Sequence, residues 1–343
     1  MLACRKGHRS VVKRLIERGA DITITDSDGD TPFLLSYDYN HNKIATLLID
    51  KGCDIHKPDK NGKTPQMFAC HRGAMSIVKR LIERGAETTI TDNKGDTPFS
   101  LSCSYGYITI ANLLIDKGCI ILKPDKNGKT PLMHACRTGH RSVVKRLIGR
   151  GAAINITDNG GDSPFVLSCE YNHNKIANLL IDKGCDIHKL DNNGKTPLMF
   201  ACRRGQLSVV KLLIGRGADI NITDNDGHTP FSLSCGYGYI KIANLLIDKG
   251  CAIDITDKHG KTPLMLACRK GYLSVVKRLI ERGADINITE NDGNTPFSLS
   301  CEYGYIEIAN LLIDEGCDKD KTDKNGKIGR HFLCLLVIKD ICQ

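Results

Sequence analysis

Nine prolines stand at one interval of 33 residues, at Pro32, Pro65, Pro98, Pro131, Pro164, Pro197, Pro230, Pro263 and Pro296. Threonine precedes each of them, except that Ser163 stands before Pro164. A glycine lies three positions upstream of every one, from Gly29 to Gly293, and again at Gly326. A hydroxyl residue followed by proline marks a helix start. The side-chain oxygen caps orphan N–H groups, and proline fits the first helical position because its missing N–H would have no partner there. A single globular core has no reason to repeat that signal at constant spacing, whereas stacked copies of one supersecondary unit do. Such a stack grows by adding interfaces between neighbours, so 343 residues need no large common core. Tryptophan is absent and aromatic residues make up 5% of the chain, which suits small units with regular packing.

Each unit opens on Asp-x-x-Gly, with Glu290 in place of the Asp once, as in Asp59-Lys60-Asn61-Gly62, which reads as a tight hairpin turn whose glycine accepts positive φ. Thr64-Pro65 then starts a short helix through Met67-Phe68-Ala69-Cys70 that stops near Gly73. A second helix is expected from about Ser76 to Arg84, with Ile77, Val78, Leu81 and Ile82 on one face. Gly85 ends it as a left-handed cap.

The succession Asp-x-x-Gly-x-Thr-Pro-Leu, Ala-Cys-x-x-Gly and Val-Val-x-x-Leu-Ile-x-x-Gly-Ala-Asp-Ile resembles the ankyrin repeat, from residue 1 to about 327. The resemblance implies an all-α ankyrin-repeat solenoid of helix-turn-helix units with β-hairpin tips. It would form one array over residues 1–343: a partial repeat at 1–25, nine complete repeats at 26–322 and a degenerate partial repeat at 323–343. It also implies an elongated, curved, non-enzymatic scaffold or adaptor that binds other proteins through its concave face and hairpin tips. One position departs from the family. Histidine usually follows Thr-Pro-Leu and bonds back to the threonine; here Met133, Met199 and Met265 alternate with Ser100, Ser232 and Ser298. That bond is expected to be absent or replaced.

The units alternate in charge, so the full period of the chain is a pair of units. Basic units read Asp-Lys-Asn-Gly-Lys-Thr-Pro-Leu-Met; acidic ones read Asp-Asn-Asp-Gly-Asp-Thr-Pro-Phe. The alternation reaches the hairpin tips, where Lys63, Lys129, Lys195 and Lys261 interleave with Asp30, Asp96, Asp162, His228 and Asn294. It also reaches the end of the first helix. There Arg72, Arg137, Arg203, Arg204, Arg269 and Lys270 of basic units interleave with Tyr39, Tyr105, Tyr171, Tyr237 and Tyr303 of acidic ones. These tip lysines and this Tyr/Arg ladder are the expected partner-binding residues, since Tyr and Arg dominate interface hot spots. The same residues can instead satisfy one another across neighbouring rungs, each exposed pair contributing about 0–1 kcal/mol.

Sixteen cysteines invite a disulfide or zinc reading. Nine of them, Cys70 to Cys334, share the step of the prolines, and Cys53, Cys119, Cys185, Cys251 and Cys317 recur in every second unit. Packed helices put neighbouring rungs about 8–10 Å apart, beyond the roughly 7 Å that a disulfide bridges. The reading is of reduced core thiols in a cytoplasmic or nuclear monomer.

Little in the chain points to chemistry. Gly-Lys-Thr at Gly62, Gly128, Gly194 and Gly260 lacks the upstream glycine of a phosphate loop. No histidine pair has metal-helix spacing, and residues that recur in every unit do not make a singular catalytic set. No catalytic, cofactor or metal residue, and no small-molecule substrate, is therefore expected. The charge of +9 comes from outward-facing pairs such as Lys145-Arg146 and Lys277-Arg278. Interleaved acids argue against nucleic acid, and binding of nucleic acid or acidic membrane remains an alternative only. The longest apolar run, Phe332 to Ile338, is too short for a membrane span. Met1–Gly7 aligns with Met265–Gly271, and Ile328-Gly329 stand where Thr-Pro is expected. The ends thus read as those of a fragment of a longer array or of a decayed gene copy, and the chain as the targeting arm of a larger multidomain protein in the alternative.

Overall fold

The structure is a computed structural model that describes residues 1–319 and residue 321. Twenty helices and no strand occur among the described residues. The segment 323–343, read above as a degenerate repeat, lies outside them. The helices come in pairs, such as Pro65–Arg72 with Met75–Glu83 and Pro131–Thr138 with Arg141–Gly149. No helix among the described residues is long and apolar enough to cross a membrane.

The Thr-Pro signal acts as its chemistry dictates. Thr64 Oγ1 accepts the Met67 N–H at 3.4 Å and Thr97 Oγ1 accepts the Ser100 N–H at 3.0 Å. The missing histidine is replaced in six units, three of each kind, but not at Thr31 or Thr262. The threonine N–H donates to sulfur in basic units, as Thr130 to Met133 Sδ at 3.3 Å, and to a hydroxyl in acidic units, as Thr97 to Ser100 Oγ at 2.9 Å. Ser163 caps Val166, whose side chain returns no bond. Between the paired helices glycine takes positive φ, as at Gly73. In two units asparagine replaces it at Asn40 and Asn172, with φ of 62° and 63°. The helix Met75–Glu83 begins one residue earlier than expected and buries Ile77, Val78 and Leu81.

The tips are turns rather than paired strands. The Asp59 N–H donates to Lys63 O at 3.0 Å, and Asp59 Oδ1 accepts from the N–H groups of Asn61 and Lys63 at 2.9 and 2.7 Å. Successive tips are stitched by a backbone bond: the Asn93 N–H donates to Asn61 O at 2.9 Å, and the Lys126 N–H to Lys94 O at 3.0 Å. One backbone bond per junction is too few for a strand ladder. This close approach is why Gly62 is glycine. Its φ is +78°, and a Cβ there would lie 2.7 Å from Asn93 Oδ1.

The described residues form two compact halves, 1–176 and 177 onward, with the boundary inside the helix Asn174–Asp182. Within the first, the helix Pro98–Ser104 packs on Pro131–Thr138; within the second, Pro230–Gly236 packs on Pro263–Lys270. Phe33, Phe99 and Phe165 fill the core of the first, and Phe231 and Phe297 that of the second. The fourteen described cysteines are buried. Burial pushes thiols up, to about 12 at Cys53 and about 11 at Cys119, so these groups are poor nucleophiles. Tyr37 interrupts the cysteine ladder, fully buried, and its hydroxyl has no hydrogen-bond partner.

Candidate functional site

The ladder residues meet across the junction from each basic unit to the next acidic one. The guanidinium of Arg5 lies 5.0 Å from the Tyr39 ring, and that of Arg137 lies 5.1 Å from Tyr171. The His71 ring sits 4.3 Å from Tyr105. In the second half, Arg203 lies 5.8 Å from the Tyr237 ring and donates from Nε to its hydroxyl at 3.2 Å; Arg269 meets Tyr303 in the same way at 5.6 and 3.1 Å. The five tyrosines nevertheless keep 43–46% of their surface exposed. Stacking on one face therefore leaves the other face and the ring edge open to a ligand. Arg72 uses the opposite junction: it donates to Asp38 O at 3.0 Å and lies 3.5 Å from that carboxylate. Arg204 follows the helix Pro197–Arg203 as its C-cap and is exposed.

The tip lysines differ from one another. Lys129 Nζ donates to Asp158 Oδ2 at 2.6 Å, and Asp158 has a side chain only 1% exposed. Lys261 lies 3.5 Å from Glu290. Both thus neutralise a buried turn carboxylate of the next unit, a burial that the sequence pattern did not reveal. Lys63 lies over the Phe68 ring at 6.0 Å. Lys195 lines a cavity instead.

The second-helix arginines require a correction. Arg282 pairs with Asp248 at 3.0 Å and Arg80 with Asp50 at 2.8 Å; Arg278 is half-buried and bonds Asn244 Oδ1 at 3.1 Å. The outward basic face expected of them is largely consumed by a ladder of aspartates at the ends of the acidic second helices. The signal was present as Asp50, Asp116, Asp182, Asp248 and Asp314, one in each acidic unit, the first four of which have a described unit after them. Their partners lie in the next unit, and only packing brings them together. Lys145 and Lys277 are exposed.

One cavity of about 500 Å³ collects Lys195, Arg203, Tyr237 and Lys270 on one hand and Asp224, Asp226 and His228 on the other, beside Leu233, Leu266 and Tyr272. Gly236 opens it: this position is Asp38, Ser104, Glu170 and Glu302 in the other acidic units. An added Cβ there would meet only Leu266, at 3.6 Å. The family profile described as "Ankyrin repeats (3 copies)" matches residues 1–92, 66–158, 140–224, 165–257, 214–290 and 235–323. The chain is an ankyrin-repeat protein. No curated protein matches this ankyrin chain. Proteins of the ankyrin family are generally protein-interaction modules.

Proposed function

We propose that this ankyrin-repeat chain is a non-enzymatic scaffold or adaptor, and that it takes an acidic side chain of a protein partner into the cavity beside Gly236. The observation that carries this reading is a missing carboxylate. In the first half of the chain the ladder cation Arg72 is held by Asp38. In the second half the equivalent cation is Lys270, and the equivalent of Asp38 is Gly236. Lys270 is exposed and lines the cavity with Arg203 and Tyr237. A partner's Asp or Glu would restore the charge that the repeat lacks, with the tyrosine ring as the flat wall of the site. The other ladder residues and tip lysines extend the contact surface as an array.

The experiment is to plug the cavity without removing any existing contact. Gly236→Trp should abolish capture of the partner in a pull-down from extract, while Gly236→Ala, which adds only a methyl, should retain it. Circular dichroism checks that both fold. Capture unchanged by Gly236→Trp would remove the cavity from the binding site and direct attention to the other tyrosines of the ladder.

A further inference from the structure

We infer that the tip of the acidic unit around His228 is a site for a zinc-type divalent cation, held by Asp224, Asp226 and His228. The inference does not rest on the protein-binding reading. Ligand atoms from these three side chains all lie within 4.8 Å of one another. One imidazole nitrogen and two carboxylate oxygens form a donor set that first-row divalent cations accept, with a fourth position left for water. They are too few for calcium, which takes six to eight oxygens.

A second observation points to a ligand. Asp224 is 5% exposed with a side chain at 0%, and its Oδ2 has no hydrogen-bond partner. Its Oδ1 is used by the turn, accepting from the N–H groups of Asp226 and His228 at 3.0 and 2.8 Å. Two pairs of units share this architecture but not the orphan atom. Asp158, one pair earlier, receives Lys129 on its Oδ2; Lys195, the counterpart of Lys129, leaves Asp224 Oδ2 unbonded. A buried carboxylate oxygen with no partner carries a desolvation cost that a bound cation would remove.

The histidine is also oriented for the task. Its Nδ1 lies 3.3 Å from Asp224 Oδ1, and its Nε2 lies 3.8 Å from Asp257 Oδ2 on the next tip. Metal-bound histidines commonly present their other N–H to a carboxylate, which fixes the ring and raises its basicity. Asp257, at 3.8 Å, lies beyond hydrogen-bond distance and would have to close on the ring to play that part. The sequence pattern could not suggest this, because no two histidines are spaced as ligands and the acids recur in every unit. His228 is the singular residue: Asp30, Asp96, Asp162 and Asn294 occupy its place elsewhere. The present partner of Asp226 is Lys258, with which it makes a short ion pair at the surface, so a cation must displace that lysine.

The test is titration of the full chain with Zn²⁺ by calorimetry and with Co²⁺ by absorption. We expect one saturable site per chain and cobalt spectra without a thiolate charge-transfer band. His228→Asn should weaken binding by at least about tenfold, the low end of what loss of even a supporting group costs a metal site; Asn294 shows that the fold accepts asparagine there. Lys258→Ala, which removes the competitor for Asp226, should tighten binding. A role of Asp226 and Lys258 in stability alone would not produce that gain. Binding unchanged in His228→Asn, a thiolate band that places the ion on cysteine, or no saturable binding would each overturn the proposal.

Discussion

Two junctions, one in each half, are built from the same repeat and carry opposite chemistry; the Lys258 N–H donates to Asp226 O at 2.9 Å in the second. The first joins the tip at Asp28 and Asp30 and the helix end at Asp38 to the next unit's Asp59, Lys60, Phe68 and His71, around a cavity of about 310 Å³. The second has Asp226, His228 and Gly236 facing Asp257, Lys258, Leu266 and Arg269 at the equivalent positions. The shared pieces do the same work in both: Lys60 pairs with Asp28 and Lys258 with Asp226. The exchanged pieces change everything else. His228 in place of Asp30 and Gly236 in place of Asp38 remove two negative charges. Leu266 in place of Phe68, with the lost Asp side chain, enlarges the space. A repeat scaffold fixes where side chains stand, so these three exchanges, with Arg269 in place of His71, turn a mostly acidic pocket into one that presents Lys270 and Arg203 beside Asp224 and Asp226.

The largest expected effect tests whether the frame is common. At the junction that follows each of these two, Gly62→Ala and Gly260→Ala force a Cβ into positive φ and against the next tip, at 2.7 Å from Asn93 Oδ1 or Asn291 Oδ1. Each should cost about 1–3 kcal/mol. Equal losses in urea unfolding would confirm one frame; a loss at only one junction would show that the other has relaxed.

Next comes a difference buried beneath the first junction. Gln66 is 1% exposed and neither its Nε2 nor its Oε1 has a hydrogen-bond partner, whereas its counterpart is Leu264. Gln66→Leu should stabilise the protein by about 1–3 kcal/mol, the cost of a buried unsatisfied polar group. No gain in the urea midpoint would mean that the amide is hydrated.

A smaller effect comes from transplanting the missing acid. Gly236→Asp should recreate the pairing of Arg72 with Asp38 on Lys270, changing stability by only about 0–1 kcal/mol because the pair is exposed. It should nonetheless remove binding of an acidic partner. Partner capture that survives a folded Gly236→Asp would break the contrast between the junctions.

The smallest effect is a slope against pH. Burial, with Asp26, Asp38, Asp59 and Asp28 around it, raises the Asp30 carboxyl from 3.8 to about 6. Its neutral form is therefore favoured in the fold. That contribution is fully present below about pH 4 and is lost as pH rises through 6. Asp30→Asn should flatten the dependence of stability on pH between these values and stabilise the protein at pH 7. An unchanged slope would show that Asp30 is solvated.

The periodic residues made the fold legible. Pro65, Thr64 and Gly62 specify their own backbone geometry, because caps, prolines and glycines act within a few residues of themselves. The core rungs were legible too, since Cys70 and Phe99 recur at a period that only stacking explains. The Asp-x-x-Gly pattern could not reveal that the tips stop short of strand pairing, because pairing depends on how near the next tip comes. Nor could it say which ladder residues are already paired. Tyr39 and Arg5 stand in adjacent units, as do Arg282 and Asp248, and nothing local tells a stacked or bridged cation from a free one. The sequence by itself thus determined the unit, its period and its alternating charge, all of them short-range properties. Tertiary structure alone decided that Lys129 is occupied by Asp158 while Lys195 leaves Asp224 Oδ2 unbonded, and that Gly236 opens a cavity. Those outcomes depend on distances between different units, which a repeat pattern states equally for every copy.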